Sequence, residues 1–259
     1  MYLIMPQTVR LIHDNLRQSN LFAQSEDLKP IVKKNLQELG KSIFESLAIW
    51  QKPKTEIMSW IKSFENWGLV EQALARNKGI IFLTPHMGCF EITSIFYGGS
   101  HPITVLFRTP KRKWLRSLTS SGRQQNMVKL APANSTGVRM LMQALKKGEA
   151  VGILPDQIPG KGEGEWAPFF NKSAYTMTLV SKLAVKTGAA VIMVFGERLE
   201  SGKGFKIHMS LLEEGSVATP TLLNKAIEHQ IKQNPSQYLW AYPRYKVRAR
   251  LLKKQVTEV

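Results

Sequence analysis

The chain has 259 residues, of which 43% are hydrophobic, 9% aromatic and 21% charged. This composition is typical of a globular protein and excludes the fibrous and disordered classes. Cys89 is its single cysteine, which excludes an internal disulfide and a cysteine-rich zinc site and favours a reducing compartment. A formal net charge of +17 favours an anionic partner, which can be nucleic acid, an anionic membrane face or an acidic protein.

The hydrophobic stretches are too short to cross a bilayer. No apolar run reaches the length of about 18 residues that a spanning helix needs. The run Met1 to Pro6 lacks the basic start and the small-residue cleavage site of a signal peptide. We therefore expect no spanning segment and no secretion signal.

The first part of the chain, residues 7 to about 76, has apolar residues at helical spacing. Leu28, Val32, Leu36 and Leu39 are an example, and Gly40 follows them. This pattern predicts an entirely helical segment over residues 1–76.

From Gly79 onward, short apolar runs alternate with amphipathic stretches, which predicts strands alternating with helices. The predicted strands are Ile80 to Thr84, Ile103 to Phe107, Met127 to Leu130, Val151 to Leu154, Ala190 to Phe195 and Phe205 to Leu212. The predicted helices are Thr136 to Lys147, Thr176 to Thr187 and a third capped by Thr219-Pro220, and Ser201 to Gly204 predicts a hairpin turn. We expect one α/β domain over residues 1–259, with N-terminal helices packed on a mixed, mostly parallel sheet whose core covers residues 77–250.

A polar motif, Thr84-Pro-His-Met-Gly-Cys-Phe-Glu91, follows the first of these strands and opens a helix. Ligands of open α/β sheets usually bind at this edge. His86 and Glu91 are five residues apart and point about 140° away from each other on a regular helix, so they meet only if His86 precedes the helix. The motif predicts a dyad in which Glu91 orients His86 as a general base, and a structural histidine is the alternative.

The same motif gives little support for a metal site. The spacing of His86 and Glu91 lacks the one-face geometry of a zinc-binding helix, and no third ligand is evident. We expect no metal, and we expect His101, His208 and His229 to be surface or loop residues.

Two clusters of basic residues contain no acidic residue. The first comprises Arg108, Lys111, Arg112, Lys113, Arg116, Arg123 and Lys129, and the second spans Arg244 to Lys254. Such clusters indicate an anionic partner, although a solvated face is the alternative. Trp114 within the first cluster is compatible with base stacking and with a membrane interface.

A loop rich in glycine and proline follows the strand that begins at Val151. Gly160, Gly162 and Gly164 resemble a phosphate cradle in spacing, but Glu163 and Glu165 would repel phosphate. We therefore predict a mobile flap or a substrate-shaping loop that ends on Trp166 and Phe169-Phe170, with a plain surface loop as the alternative.

Four motifs in this order resemble a known family. They are Thr84-Pro-His86-x₄-Glu91, Leu154-Pro-Asp-Gln157, Pro168-Phe-Phe170 and Gln237-Tyr-Leu-Trp240. From about residue 30 to 247 the chain resembles the bacterial lipid A late acyltransferases of the lysophospholipid acyltransferase superfamily. Their usual apolar opening segment is almost absent here, and Glu91 stands where the superfamily prefers Asp, which supports the lipid A branch.

The resemblance implies a glycerol-3-phosphate acyltransferase-like fold and an O-acyltransferase. Such an enzyme transfers a fatty acyl chain from acyl carrier protein to a hydroxyl of a lipid A precursor, without a cofactor, at the cytoplasmic face of the inner membrane. His86 and Glu91 are then catalytic. Arg108, or a backbone N–H near Gly88, would stabilise the oxyanion.

The resemblance also implies binding residues and partners. Substrate, oxyanion or phosphate binding is assigned to Arg108, Arg116, Arg123, Asp156 and Gln157, with Asp156 and Gln157 shaping the pocket. The expected partners are acyl carrier protein, the lipid precursor and an anionic membrane surface, on which Trp50, Trp60 and Trp67 would help to dock a peripheral protein. Nucleic acid is not expected.

Two other functions remain open at this stage. A thioesterase or lipid hydrolase would use the same dyad with water as the nucleophile. A basic module that binds nucleic acid or a membrane would account for the charge without catalysis.

Overall fold

The structure, a computed structural model, describes residues 5–110 and 113–246, without the side chains of residues 113–115. The helices in these ranges are α1 (Pro6–Ser19), α2 (Lys29–Gln51), α3 (Lys54–Ser59), α4 (Trp67–Ala75), α5 (Phe90–Tyr97), α6 (Lys113–Arg123), α7 (Ser135–Lys146), α8 (Leu179–Thr187) and α9 (Pro220–Gln233). The strands are β1 (Ile61–Phe64), β2 (Ile80–Leu83), β3 (Ile103–Phe107), β4 (Val128–Pro132), β5 (Ala150–Ile153), β6 (Gly164–Phe169), β7 (Lys172–Met177), β8 (Ala190–Arg198) and β9 (Phe205–Leu211).

Seven strands form one sheet in the order β1-β9-β8-β2-β5-β3-β4. The five strands from β8 to β4 in this order are parallel, β9 runs antiparallel to β8, and β1 runs parallel to β9. The predicted mixed, mostly parallel sheet is therefore confirmed. The β8–β9 hairpin around Ser201 to Gly204 is confirmed as well.

Both faces of the sheet are covered, as expected for a parallel sheet with near-continuous apolar strands. Ile81 and Leu83 belong to the core on the face covered by α1, α7, α8 and α9. Ile80 and Phe82 belong to the core on the opposite face, with residues of α3, α4 and α5. This second face holds the cavity described below.

The helix-end signals behave as the sequence predicts. Gly188 ends α8 in the left-handed conformation, with φ of 64°. The Thr219 side chain caps α9 by accepting a hydrogen bond from the N–H of Leu222 at 3.3 Å. These ends fix where β8 and the C-terminal segment begin.

The prediction of an entirely helical N-terminal segment is wrong at β1. Residues Ile61–Phe64 pair with β9, with Ile61 opposite Phe205. The strand has only four residues, including Lys62 and Ser63, so it shows no clear apolar pattern. Its hydrogen-bonding partner lies far along the chain, and local sequence therefore carries no sign of it.

The predicted flap is also largely wrong. Strands β6 and β7 form an antiparallel hairpin, with Trp166 opposite Tyr175. Phe169 and Phe170 are buried in the core rather than exposed at a loop end. Pro168 is compatible with β6 because this two-stranded sheet has free edges.

None of the helices in the described ranges combines the length and the apolarity that crossing a membrane requires.

Candidate active site

The parallel strands β2, β3 and β5 end at one edge of the sheet, where a cavity of about 440 Å³ opens. This volume is within the range of about 300–1,000 Å³ that is usual for ligand sites. The cavity lies between the sheet and α5. Its polar lining, near the strand ends, comprises Thr84, His86, Glu91, Arg108, Arg123 and Gln157.

His86 lies between two side chains that follow β5. Its Nδ1 is 2.8 Å from Oδ1 of Asp156, and its Nε2 is 3.1 Å from Nε2 of Gln157. A carboxylate only accepts and an amide NH₂ only donates, so Nδ1 carries the proton and the lone pair of Nε2 accepts from Gln157. The unprotonated ring nitrogen thus faces the cavity side, where Gln157 lies.

The register of the sheet explains this meeting. Leu83 of β2 pairs with Ile153 of β5. His86 and Asp156 each lie three residues beyond these strand ends, so the two loops leave the sheet side by side. The loops are also joined by the backbone N–H of His86, which donates to Oδ2 of Asp156 at 3.1 Å.

Asp156 is 2% exposed. Burial alone would raise its pKa, but attraction to the protonated form of His86 and the hydrogen bonds from its ring and backbone lower it, and the pKa of Asp156 lies below its ordinary value. The side chain is therefore ionised at neutral pH and provides a buried negative charge beside the imidazole.

The predicted contact between His86 and Glu91 is wrong. Glu91 is buried in the first turn of α5, where both of its oxygens accept from the guanidinium of Arg123, one of them from Nε at 2.8 Å. His86 does precede the helix, as the sequence requires, but its ring reaches the carboxylate of Asp156 instead. The catalytic roles of His86 and Glu91 remain predictions.

The expected oxyanion donor near Gly88 stays a prediction, but the backbone N–H groups of Gly88 and Cys89 already donate to protein oxygens. The N–H of Gly88 donates to the carbonyl of Gln237 at 2.9 Å, and that of Cys89 to the carbonyl of Gly196 at 2.8 Å. Gly88 has φ of 55°, and a Cβ there would lie 2.2 Å from the Gly196 carbonyl oxygen. Only glycine fits this position.

The three predicted arginines differ in their surroundings. Arg108 is exposed and lines the cavity. Arg123 lines the cavity too, but it is fixed by Glu91 and lies over the rings of Trp50 and Phe107. Arg116 donates to the carbonyl of Pro110 at 3.0 Å and is not among the lining residues of the cavity. Lys111, Arg112 and residues 247–254 of the predicted basic clusters lie outside the described residues.

The interior of the cavity is apolar. It is lined by residues of the sheet face and of the helices that cover it: Trp67, Phe82, Phe96, Tyr97, Ile103, Val105, Val128, Gly152, Val194, Ile207 and Met209. Burial raises the pKa of the Tyr97 phenol to about 12, so the deep part carries no charge at neutral pH. Such a site suits a hydrocarbon chain with a polar group at its outer end.

The remaining candidate groups lie elsewhere or are inert. Cys89 is buried, and burial raises the pKa of its thiol well above the ordinary value, as expected for a packed thiol. His208 contacts Glu65 and Glu197, and His229 is exposed on α9. Among the residues that the structure describes, no three His, Cys, Asp or Glu side chains are grouped as a metal site.

The C-terminal segment holds the loop of His86 in place, which explains the Gln237-Tyr-Leu-Trp240 motif. The N–H of Leu239 donates to the carbonyl of His86 at 2.9 Å. Asn35 of α2 donates to the carbonyls of Ser236 and Tyr238, at 2.8 and 2.7 Å. Asn35 was not predicted from the sequence, where a polar residue on the buried stripe of α2 was the available sign.

Most of this chain is similar in sequence to known proteins. Residues 11–247 match the family described as bacterial lipid A biosynthesis acyltransferase. The lipid A biosynthesis palmitoleoyltransferase of Escherichia coli (strain K12) is 26% identical over 229 residues, which cover 86% of this chain and 74% of that protein. The lipid A biosynthesis lauroyltransferase of the same organism is 24% identical over 253 residues, covering 94% of this chain and 81% of the relative.

The family match extends over the strands, the loops around the cavity and the C-terminal segment that supports them. It therefore includes every residue of the site described above. This chain belongs to the bacterial lipid A biosynthesis acyltransferase family, and it is an acyltransferase.

Proposed function

We propose that the chain transfers a fatty acyl group from an acyl carrier protein thioester to a hydroxyl of a lipid A precursor. The observation that carries the proposal is an imidazole, held by a buried carboxylate, at the mouth of an apolar cavity. The relatives, which are named as lipid A acyltransferases for different acyl chains, support the same substrate class.

In the proposed reaction His86 acts as the general base. The acceptor hydroxyl takes the position of the Gln157 amide at Nε2, and it loses its proton to Nε2 as its oxygen attacks the thioester carbonyl. A base positioned in this way contributes about 10²–10⁴-fold. The negative charge of Asp156 stabilises the imidazolium that forms, and the departing thiolate of the carrier then takes the proton.

Positive charge at the mouth would stabilise the oxyanion and bind phosphate. Arg108 is exposed, whereas the charge of Arg123 is balanced by Glu91. We therefore assign the substrate phosphate or the oxyanion to Arg108, and a fixed wall of the site to Arg123. Asp156 and Gln157 position His86 and do not bind phosphate.

The apolar part of the cavity would hold the acyl chain. It follows β3 from Phe107 to Ile103, and a five-residue strand spans about 13 Å at about 3.3 Å per residue. A hydrocarbon with bonds of about 1.5 Å advances about 1.3 Å per carbon when extended, so this depth takes about ten carbons below the mouth. The thioester is already activated, and the reaction as proposed uses no cofactor.

The proposed partners are all acidic, which suits the net charge of +17. They are the acyl carrier protein, the phosphates of the lipid precursor and the anionic cytoplasmic face of the inner membrane. Attraction to each of them falls as salt increases.

The test is a transfer assay with purified protein, acyl carrier protein thioester and lipid A precursor. We expect acylated lipid from the unchanged protein, and a loss of about 10²–10⁴-fold in His86→Ala. His229→Ala, which replaces an exposed histidine far from the cavity, is the matched control and should keep full activity. Release of free fatty acid without acylated lipid would show that the protein is a hydrolase rather than a transferase, and the proposal would then be wrong.

A further inference from the structure

Two large apolar side chains are exposed next to each other on α2. Phe44 is 74% exposed and Ile43 is 53% exposed. Singly exposed apolar residues are common, but adjacent ones beside a groove mark an interaction site more often. Trp50, Trp60 and Trp67, which the sequence suggested for membrane contact, are only partly exposed.

Lysines surround this apolar pair. Lys41, Lys62 and Lys203 line a groove of about 510 Å³ whose wall includes Phe44. At its base lies the guanidinium of Arg198, which is neutralised by Glu38 and Glu45. Lys41 contacts Glu38 as well, so the net positive charge of the groove comes from its rim.

The pair and its lysines, together the α2 patch (Lys41, Ile43, Phe44, Lys62 and Lys203), lie at the edge of the sheet where the cavity opens. Arg198 ends β8, which runs parallel to β2, so it lies at the edge that His86 follows.

The loop of His86 contacts the same helix. Ser42 of α2 donates to the carbonyl of Gly88 at 3.4 Å, and Gly88 pairs with Gly196 of β8. A surface that touches the α2 patch is therefore adjacent to the site.

We propose that the α2 patch docks the enzyme on an anionic phospholipid bilayer. Ile43 and Phe44 enter the boundary between headgroups and acyl chains, and Lys62 and Lys203 contact lipid phosphates. Binding of such a surface to a membrane increases with the apolar area that is buried and with attraction to anionic lipids. The inference rests on the proposed function in one respect: docking there brings the cavity mouth to the membrane that holds the lipid acceptor.

Sedimentation with vesicles tests the docking without requiring activity. The probes are vesicles of phosphatidylcholine with phosphatidylglycerol at a ratio of about 3:1, and vesicles of phosphatidylcholine alone, because each basic residue contributes mainly through anionic lipid. We expect the double variant Ile43→Ser/Phe44→Ser to bind the anionic vesicles at least about tenfold more weakly.

The matched control is Val185→Ser on α8. Val185 is 73% exposed, and α8 ends where β8 begins, so it lies at the opposite edge of the sheet. To test the contribution of charge, the double variant Lys62→Glu/Lys203→Glu should bind anionic vesicles about tenfold more weakly, and its binding should depend less on salt. Lys182→Glu/Lys186→Glu on α8 should cause a much smaller loss.

A second measurement does not depend on lost binding. Subtracting the fluorescence spectrum of the unsubstituted protein from that of Phe44→Trp isolates the emission of the introduced indole. This emission should move to shorter wavelength when anionic vesicles are added. No shift, or patch variants that bind vesicles as the unchanged protein does, would overturn the proposal. If patch variants still bind vesicles but no longer bind acyl carrier protein, the proposal is overturned in favour of a protein-docking surface.

The two proposals fail separately. If the protein binds vesicles through the α2 patch and transfers no acyl chain, the docking stands and the proposed function falls. If it transfers acyl chains in detergent micelles and binds no vesicles, the function stands and the docking falls.

Discussion

Replacing Asp156 by Asn removes the negative charge beside His86 without changing the size of the side chain. The structure shows two hydrogen bonds to this carboxylate from one residue, the ring Nδ1 of His86 and its backbone N–H. An amide has one acceptor oxygen and can serve only one of these donors. If the oxygen stays with the backbone, the NH₂ group faces Nδ1, and the ring proton moves to Nε2. The base then has no free lone pair at the cavity.

The size of the effect follows from the contact distance. In the proposed reaction His86 becomes an imidazolium, and its Nδ1 lies 2.8 Å from a carboxylate oxygen of Asp156. At an effective dielectric constant of about 20, a pair at this distance interacts by about 6 kcal/mol, and by about 4 kcal/mol if the charge is spread over the ring. With about 1.4 kcal/mol per factor of ten, we expect kcat to fall about 10³–10⁴-fold in Asp156→Asn.

The assay compares kcat and KM for transfer from acyl carrier protein to the lipid precursor. KM should change little, because Asp156 lies beneath the ring and does not line the cavity. Asp14→Asn makes the same chemical change on the surface of α1 and should leave both constants unchanged. Nitrogen NMR of His86 should also show the proton at Nδ1 in the unchanged protein and at Nε2 in the variant. A decrease in kcat below about threefold with an unchanged tautomer would show that Asp156 does not orient the base.

Three further results are expected. Glu91→Gln should lower the free energy of unfolding by about 3 kcal/mol, because it leaves Arg123 without its carboxylate partner. The remaining activity should have the same dependence on pH as that of the unchanged protein. A loss of both the activity and its pH dependence would return the orienting role to Glu91. In competition between lauroyl and palmitoyl thioesters, Gly152→Val should favour the shorter acyl donor by about tenfold. The reason is that even a Cβ at this position would lie 3.2 Å from Cγ2 of Val105 in the cavity wall. An unchanged ratio of lauroyl to palmitoyl transfer would place the acyl chain elsewhere. Because the pKa of Asp156 is lowered on folding, its carboxylate stabilises the folded state fully at pH values above its ordinary pKa of about 3.9, and this stabilisation is lost as pH falls through the folded pKa. In chemical denaturation, the difference in free energy of unfolding between the unchanged protein and Asp156→Asn should therefore be constant near neutrality and shrink below about pH 4. A constant difference down to about pH 3 would contradict the assigned pKa direction.

The sheet was largely predictable because buried parallel strands are continuous apolar runs. The predicted strand Ile103 to Phe107 agrees with β3 at both ends. Strand β1 was not predictable, since its pattern is set by pairing with β9 rather than by its own four residues. Hairpin β6–β7 was missed because glycine and proline, which usually indicate a loop, are tolerated in a short two-stranded sheet.

The site was predictable as a set of residues but not as a set of contacts. His86, Glu91, Arg108, Arg123 and Gln157 all line the cavity. Which carboxylate meets the imidazole depends on β2 lying beside β5, and the strand order of a sheet is not encoded in local periodicity. Proximity along the chain favoured Glu91, whereas the register of two neighbouring strands selects a residue 70 positions away.

The hydrogen bonds between the two ends of the described chain make the support of the candidate site depend on a segment that is synthesised late. Asn15 and Asn35, in the first two helices, bind carbonyls between Ser236 and Tyr242, and that same segment supports the loop of His86. A chain synthesised only as far as the end of β9 contains His86, Asp156 and Gln157 but not this segment. The loop of His86 therefore lacks this support until residues 236–242 have been synthesised.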